Sequence, residues 1–259
     1  MNRNKPGFIS LALSTLVLLF LALPIIIIFP LAFNDANYLA FPPQGFSLRW
    51  MEKVLSSADW LSSLWLSFRI ATISTILAMI LSILMAMALV RFRFRGKTII
   101  YALILLPMIV PNIISALSLF FFFSAVEIAD SVSAIIIGHA VISFPIATII
   151  ISSSLQGIDS QLEYAAMSLG ASGFTVLRRI TFPLAAPGMI SAAIFSFLSS
   201  FDELLISMFM AGNDVQTLSV RIWNNIQFEL EPTIAAVSVL LILITVVMLL
   251  TANFMTKPL

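Results

Sequence analysis

Residues 156–183 read QGIDSQLEYAAMSLGASGFTVLRRITFP, a stretch too polar to cross a bilayer and too patterned to be a plain connector. It lies between two apolar runs, 133–155 and 184–211. Ser160, Gln161, Leu162 and Glu163 have the spacing of a capping box, in which the serine accepts from the backbone and the glutamate reaches back. That spacing predicts a short helix through Tyr164, Ala165, Ala166, Met167, Ser168 and Leu169. It stops at Gly170, the residue type best able to take left-handed backbone at a helix end. Ser172 is expected to cap a second short helix, with Arg178 and Arg179 in its last turn, where the helix dipole favours cations, and Pro183 ending it. The stretch therefore predicts helix, turn and helix, projecting from one membrane face between two spans.

The rest of the chain supplies those spans. Over 259 residues, 61% are hydrophobic and 10% charged, and mean hydropathy is +1.11, well beyond the apolar half and charged quarter usual in soluble domains. A hydrocarbon core of roughly 30 Å needs about 20 apolar helical residues at 1.5 Å each. Six runs meet that requirement, near 8–33, 61–90, 98–125, 133–155, 184–211 and 233–254. The expected fold class is an all-α membrane protein with six transmembrane helices in a single domain over residues 1–259. The first run is longer than a signal-peptide core and lacks a clear small-residue cleavage site after it, so it is read as a retained helix.

Orientation follows from Lys and Arg in the connecting segments. With the N-terminus inside, Arg3, Lys5, Arg91, Arg93, Arg95, Lys97, Arg178, Arg179 and Lys257 are inner, while Arg49, Lys53 and Arg221 are outer and Arg69 lies within the second span. Both termini are therefore expected in the cytoplasm. Trp50, Trp60, Trp65 and Trp223 fall on the expected outer side, where indole rings suit the membrane interface.

Several function classes are excluded. A net charge of +1 leaves no basic excess for nucleic acid. With no cysteine and one histidine, His139, the chain has no disulfide framework, thiol nucleophile or histidine-rich metal site. Gly96-Lys97-Thr98 imitates the end of a phosphate-binding loop, but the glycine such a loop needs five positions earlier is Arg91. ATP, if used, must be bound by another subunit.

The loop resembles the permease subunits of binding-protein-dependent ABC importers, whose cytoplasmic signature is Glu-Ala-Ala, three residues, Gly, nine residues, Ile-x-Leu-Pro. Tyr164-Ala165-Ala166, Gly170 and Ile180-Thr181-Phe182-Pro183 stand at those spacings. Tyr164 replaces the glutamate, with Glu163 one residue early, and Phe182 replaces the leucine. The resemblance implies a type I ABC importer transmembrane-domain fold, a multi-pass position in the bacterial inner membrane and no catalytic residue in this chain. It also implies that residues 156–183 seat in a groove of an ATPase, with Glu163, Tyr164, Ala165, Ala166, Gly170, Ile180 and Pro183 as the coupling residues. The implied partners are a second permease subunit, two ATPase subunits that bind ATP and Mg, and a periplasmic substrate-binding protein, with no cofactor in this chain.

The resemblance extends over the whole chain. Phe46-Ser47-Leu48-Arg49-Trp50, Gly138-His139, Ser200-Phe201-Asp202-Glu203, Thr217-Leu218 and Pro232-Thr233-Ile234-Ala235-Ala236 look like the polyamine and opine branch. That branch implies a small cationic or amine-containing solute such as a polyamine; related branches carry aminoalkylphosphonate, opine or ferric iron. Asn112 stands where the polyamine relatives carry an acid. A rival of another class is an ion-coupled secondary transporter, which would often show internal repeats; none is seen here.

Polar residues inside the apolar runs mark the expected substrate path: Asp202, Glu203 and Asn112. Asp202 and Glu203 lie about nine residues before Gly212, or roughly 14 Å along a straight helix, near the midplane. An ionised carboxylate there costs roughly 2.5–3.5 kcal/mol, so both should face protein or water, lining a cation's path or making a helix contact. Pro107 and Pro111 with Asn112 either shape a cavity or merely kink a helix. Arg69 is expected to snorkel to the surface, His139 to bridge helices, and Glu229 and Glu231 to be solvated in an outer loop.

Overall fold

The computed structural model describes residues 7–212, 215–228 and 231–256. Arg3, Lys5 and Lys257, used above for orientation, and Glu229 lie outside these residues. The chain forms α1 (Phe8–Ala32), α2 (Arg49–Ser56), α3 (Ala58–Arg91), α4 (Lys97–Ile109), α5 (Asn112–Ala125), α6 (Val132–Gln156) and α7 (Ser160–Ser168). It continues through α8 (Gly173–Val176), a π-turn (Leu177–Thr181), α9 (Phe182–Phe201), α10 (Leu205–Met210), α11 (Leu218–Phe228) and α12 (Thr233–Thr256). Among the described residues, five helical stretches are each long and apolar enough to cross a bilayer, and a sixth span exists if the bent pair α4 and α5 counts as one.

Two of the six runs are not single straight helices. Between α4 and α5 the axis turns by 104°, because Val110 and Pro111 both take extended backbone, with ψ of 134° and 132°. Proline pushes its predecessor out of the helical region and removes a backbone donor, so the break falls where the sequence places Pro111. The run 184–211 begins earlier than its apolar composition indicated, as part of one helical stretch from Gly173 to Phe201, and then breaks at Asp202 before α10.

Packing divides the chain into two units, Met1–Leu61 with Ile222–Ile244, and Ser62–Arg221 with Thr245–Leu259. In the first unit, Ala32 of α1 and Ala235 and Val239 of α12 form a buried cluster with Ile28, Phe29, Leu31, Phe33 and Met51 around it. The loop after α1 is pinned by fully buried Asn34. Its Oδ1 accepts from the backbone of Ala36 (3.2 Å) and Gln44 (3.0 Å), and its Nδ2 donates to Ala40 O (3.3 Å). Two expectations change here. Trp50 and Trp60 are buried, Trp50 donating to Ala36 O at 3.2 Å, so they serve packing, whereas Trp65 and Trp223 are exposed as an interfacial indole would be. Glu231 is not simply solvated, because it pairs with Lys53 at 2.6 Å.

The second unit is held by small residues and hydroxyls. Without water, helices in lipid gain little from apolar burial against each other, and close approach through small side chains takes its place. Ala147, Ile151 and Leu155 of α6 pack with Ala185 and Ala192 of α9 and Ala86 of α3. A Cβ on Gly188 of α9 would overlap Ser154 of α6, and one on Gly138 of α6 would come within 2.8 Å of Ile206. Hydroxyls cross the same seams: Ser74 donates to Ile136 O (3.0 Å), Ser82 to Phe144 O (3.0 Å) and Thr148 to Ser82 (3.1 Å). Each such bond contributes about 0.6 kcal/mol in a membrane. A second cluster joins Ala116 and Phe123 of α5 with Ile206 and Met210 of α10, around Ala134 and Ile135 of α6 and Ile70 of α3.

Candidate functional site

The helix, turn and helix forms as its spacing indicated, with two corrections. The cap of α7 is Asp159, whose Oδ1 accepts from the backbone of Gln161 at 2.9 Å; Ser160 is already inside the helix and no capping box forms. Glu163 does not reach back because its carboxylate is engaged elsewhere. Its Oε1 accepts from Arg91 Nη2 at 3.0 Å and from Thr181 Oγ1 at 2.8 Å. Arg91 closes α3 and Thr181 closes the π-turn, so Glu163 fastens α7 to two separate parts of the chain. At 16% and 13% side-chain exposure, the ion pair is largely shielded from solvent.

The second correction concerns Pro183. It does not end a short helix; it occupies the first turn of α9, where a missing N–H is tolerated. Its ring would crowd the carbonyl four residues back in a regular helix. The wider π-turn over Leu177–Thr181 precedes it, and the helix runs on through Pro183. The turn itself is as expected. Gly170 has φ +90°, its N–H donates to Met167 O (2.9 Å), and the N–H of Ala171 donates to Ala166 O (3.1 Å). These two bonds are the Schellman pattern, which satisfies carbonyls at the helix end. Ser172 caps α8, accepting from Thr175 N at 3.3 Å.

The hairpin exposes large apolar side chains among polar ones. Leu162, Tyr164, Met167, Leu169 and Phe174 are all exposed, Leu169 to 90%. Ala165 is exposed, while Ala166 and Ile180 are half-buried and Thr181 is buried.

The second cluster lies at the break after α9. Glu203 turns its carboxylate onto the start of α10, Oε1 accepting from the backbone of Leu205 (3.0 Å) and Ile206 (3.2 Å). Asp202 is exposed, and among the described residues its carboxylate has neither an ion pair nor a hydrogen bond. Of the two acids, Glu203 makes the helix contact. Arg69 is exposed and neutralises neither acid.

Fully buried His139 of α6 spans the break, as the interhelical residue expected. Its Nδ1 is 2.8 Å from Ser200 Oγ in α9 and its Nε2 is 3.1 Å from Ser207 Oγ in α10. A row of aromatic rings reaches the same place. Trp65 stacks on Phe68, Phe68 meets Phe197 edge-on, and Phe197 stacks on Phe201, with centroids 5.9, 5.6 and 5.6 Å apart.

Asn112 is not brought to these acids by any contact; it is exposed at the start of α5, whose later residues pack on α10. Of the three residues expected around a cavity, Pro107 lines an apolar groove of about 370 Å³ with Leu81, Ile104 and Phe144. Pro111 and Asn112 stand at the bend instead. Sequence reasoning missed Arg91, Thr181, Ser200 and Ser207 as site residues. Nothing around Arg91 in the sequence signals this contact, because its partner lies 72 residues away.

Bent and broken apolar helices and seams of small residues define a helical membrane protein with a projecting hairpin. The chain belongs to the family described as binding-protein-dependent transport system inner membrane component, whose model matches residues 78–257. It is the permease subunit of an ABC importer of the bacterial inner membrane, and ATP hydrolysis belongs to a separate subunit.

The chain is 32% identical to the spermidine/putrescine transport system permease protein PotC of Haemophilus influenzae, over 96% of this chain and 97% of that protein. It is 32% identical to the putrescine transport system permease protein PotI of Escherichia coli K12, over 86% and 82%. A solved bacterial ABC transporter involved in import of the acidic polysaccharide alginate shares the fold, with a TM-score of 0.75, 16% identity and coverage of 97% and 96%. The type I importer fold is thereby established, and the ion-coupled secondary transporter is set aside.

Proposed function

We propose that this permease forms half of the translocation path for a small organic cation of the polyamine class. The observation that carries the substrate class is Asp202, an exposed carboxylate without an ion pair or hydrogen bond among the described residues, next in sequence to Phe201. A carboxylate in the membrane is expensive unless it faces water or a counter-charge, and amine cations also favour aromatic faces. The row from Trp65 to Phe201 offers such faces along one side of α3 and α9. The relatives named for spermidine and putrescine transport support the same reading.

The hairpin 156–183 is the element that couples the permease to its ATPase. Its exposed apolar face of Tyr164, Met167, Leu169 and Phe174 fits a groove on a partner rather than water. The distribution of Lys and Arg supports placing that hairpin and both termini in the cytoplasm. The working assembly pairs this chain with a second permease, two ATPase subunits that bind ATP and Mg, and a periplasmic binding protein.

The test is uptake by the reconstituted complex with labelled spermidine or putrescine, using wild-type ATPase and a hydrolysis-dead one. ATP-dependent uptake of the amine, abolished by the dead ATPase, is the expected result. Uptake of an aminoalkylphosphonate, an opine or ferric iron in place of the amine would reassign the substrate. Undiminished uphill uptake with the dead ATPase would refute the coupling.

A further inference from the structure

We infer that the largely shielded cluster of Arg91, Glu163 and Thr181 is a force-transmitting clamp, through which movement of α7 is passed to the base of α9 and the end of α3. The inference rests on the reading of hairpin 156–183 as the ATPase-coupling element, and it names how that element grips the spans.

Glu163 precedes Tyr164, the residue that stands at the signature glutamate position, and successive residues on a helix point about 100° apart. The structure uses that offset. Tyr164 is 64% exposed on the outer face of α7, whereas the Glu163 side chain is 13% exposed and turned onto the chain's own Arg91. A carboxylate already accepting from a guanidinium and a hydroxyl, at 3.0 and 2.8 Å, is not presented to a partner protein. The negative charge beside the signature position therefore serves an internal contact in this chain, and the outward contact falls to Tyr164 and its apolar neighbours.

The positions of the two donors make the contact mechanical. Thr181, 1% exposed, is the last residue of the π-turn, and α9 starts at the next residue. π-turns inside helices are frequent at functional sites and mark local departures from regular winding. From Phe182 the helix runs 20 residues to Phe201, roughly 30 Å, and ends beside Asp202. A displacement of α7 thus acts on the base of the helix whose far end adjoins the acid. Arg91 ties the same carboxylate to α3, so the two spans are moved together. Arg91 Nε is buried and has no hydrogen-bond partner, so Glu163 is the only protein group among the described residues that pairs with this guanidinium as an ion pair. Removing one member of such a shielded pair leaves the other uncompensated.

Arg91, Glu163 and Thr181 are positioning residues, and the readout that separates them from simple supports is transport per ATP hydrolysed. The experiment uses the whole importer in proteoliposomes with its binding protein and labelled spermidine. The variants are Glu163→Ala, Arg91→Gln, Thr181→Val and the exchanged pair Arg91→Glu with Glu163→Arg. Glu163→Ala and Arg91→Gln are expected to co-purify with the ATPase at the wild-type level and to hydrolyse ATP. Uptake per ATP is expected to fall about tenfold, the scale of one charge-assisted contact. The exchanged pair should recover uptake above either single variant.

Loss of ATPase binding in Glu163→Ala would overturn the inference by showing that Glu163 meets the ATPase itself. A wild-type ratio in every variant would overturn it as well. Should Glu163→Ala fail to reach the membrane, Thr181→Val, which keeps size and the ion pair, decides alone: a lowered ratio supports the clamp and a normal one overturns it. Gly170→Val separates the two levels. If it leaves ATPase binding and uptake normal, the coupling reading itself fails; if it is defective while the clamp variants are normal, only the clamp fails.

Discussion

His139 Nδ1 and Ser200 Oγ stand 2.8 Å apart in the fully buried seam between α6 and α9, and the opposite ring nitrogen holds Ser207 of α10. One ring thus joins α6 to the segments on both sides of the break at Asp202. His139→Ala is expected to lower the stability of the detergent-solubilised complex by about 2–4 kcal/mol, through a cavity and two orphaned hydroxyls. His139→Gln, able to keep one bond, should lose less. Thermal unfolding checks both; an unchanged midpoint for His139→Ala would show that the bridge carries no load.

Asp202 and Glu203 are adjacent in sequence and should separate in function. Asp202→Asn is expected to lower uptake of a cationic amine about tenfold, the scale of one lost charge contact, while assembly stays normal. Glu203→Ala should instead weaken the start of α10 by about 1 kcal/mol, as the loss of a helix cap does. Glu203→Gln keeps an acceptor oxygen and should be nearly silent. Uptake and thermal unfolding measured on all three variants decide the matter, and equal uptake by Asp202→Asn and wild type would remove Asp202 from the path.

Gly170 sits at φ +90° with no other group within 4 Å of where a Cβ would be. Its requirement is conformational rather than steric, which makes a sharp comparison available. Gly170→Val should strain the turn by roughly 1–2 kcal/mol and either release the ATPase or leave hydrolysis without transport. Gly170→Asn, which tolerates left-handed backbone, should keep most of both. Membrane insertion should be normal in each, because the apolar spans are untouched. ATPase co-purification and uptake are the measurements, and a Gly170→Asn variant as defective as Gly170→Val would assign the glycine to a close contact with a partner instead.

The apolar helices were legible in the sequence because the membrane acts on every residue of a span in the same way, so composition alone carries the signal. Gly170 was legible because left-handed backbone has a residue preference. The start of α7 was not, since Asp159 and Ser160 are both able caps, and the choice between them turns on Glu163. That side chain is drawn off by Arg91, a contact with no local trace in the sequence. The turn of 104° had a local signal in Val110-Pro111, which an average over apolar residues concealed. Pro183 looks like a terminator in the sequence because its two permitted places, after one helix and in the first turn of the next, are alike until the π-turn before it is known. The break at Asp202 was hidden for a similar reason: a glutamate that caps a six-residue helix reads in the chain as a charge within a span.

The overlap awaiting any Cβ at position 188 has a consequence for how this chain can change over time. Ser154 is 34 positions away in sequence, yet its Cβ and Oγ already occupy the space a larger residue at 188 would take. The two positions form one volume shared between α6 and α9. A descendant that acquires alanine at 188 needs glycine at 154, and one that enlarges 154 can keep only glycine at 188. Drift at this seam must proceed in pairs, so the two positions, silent when inspected singly, carry a record of the helix packing that a collection of diverged sequences would display as covariation.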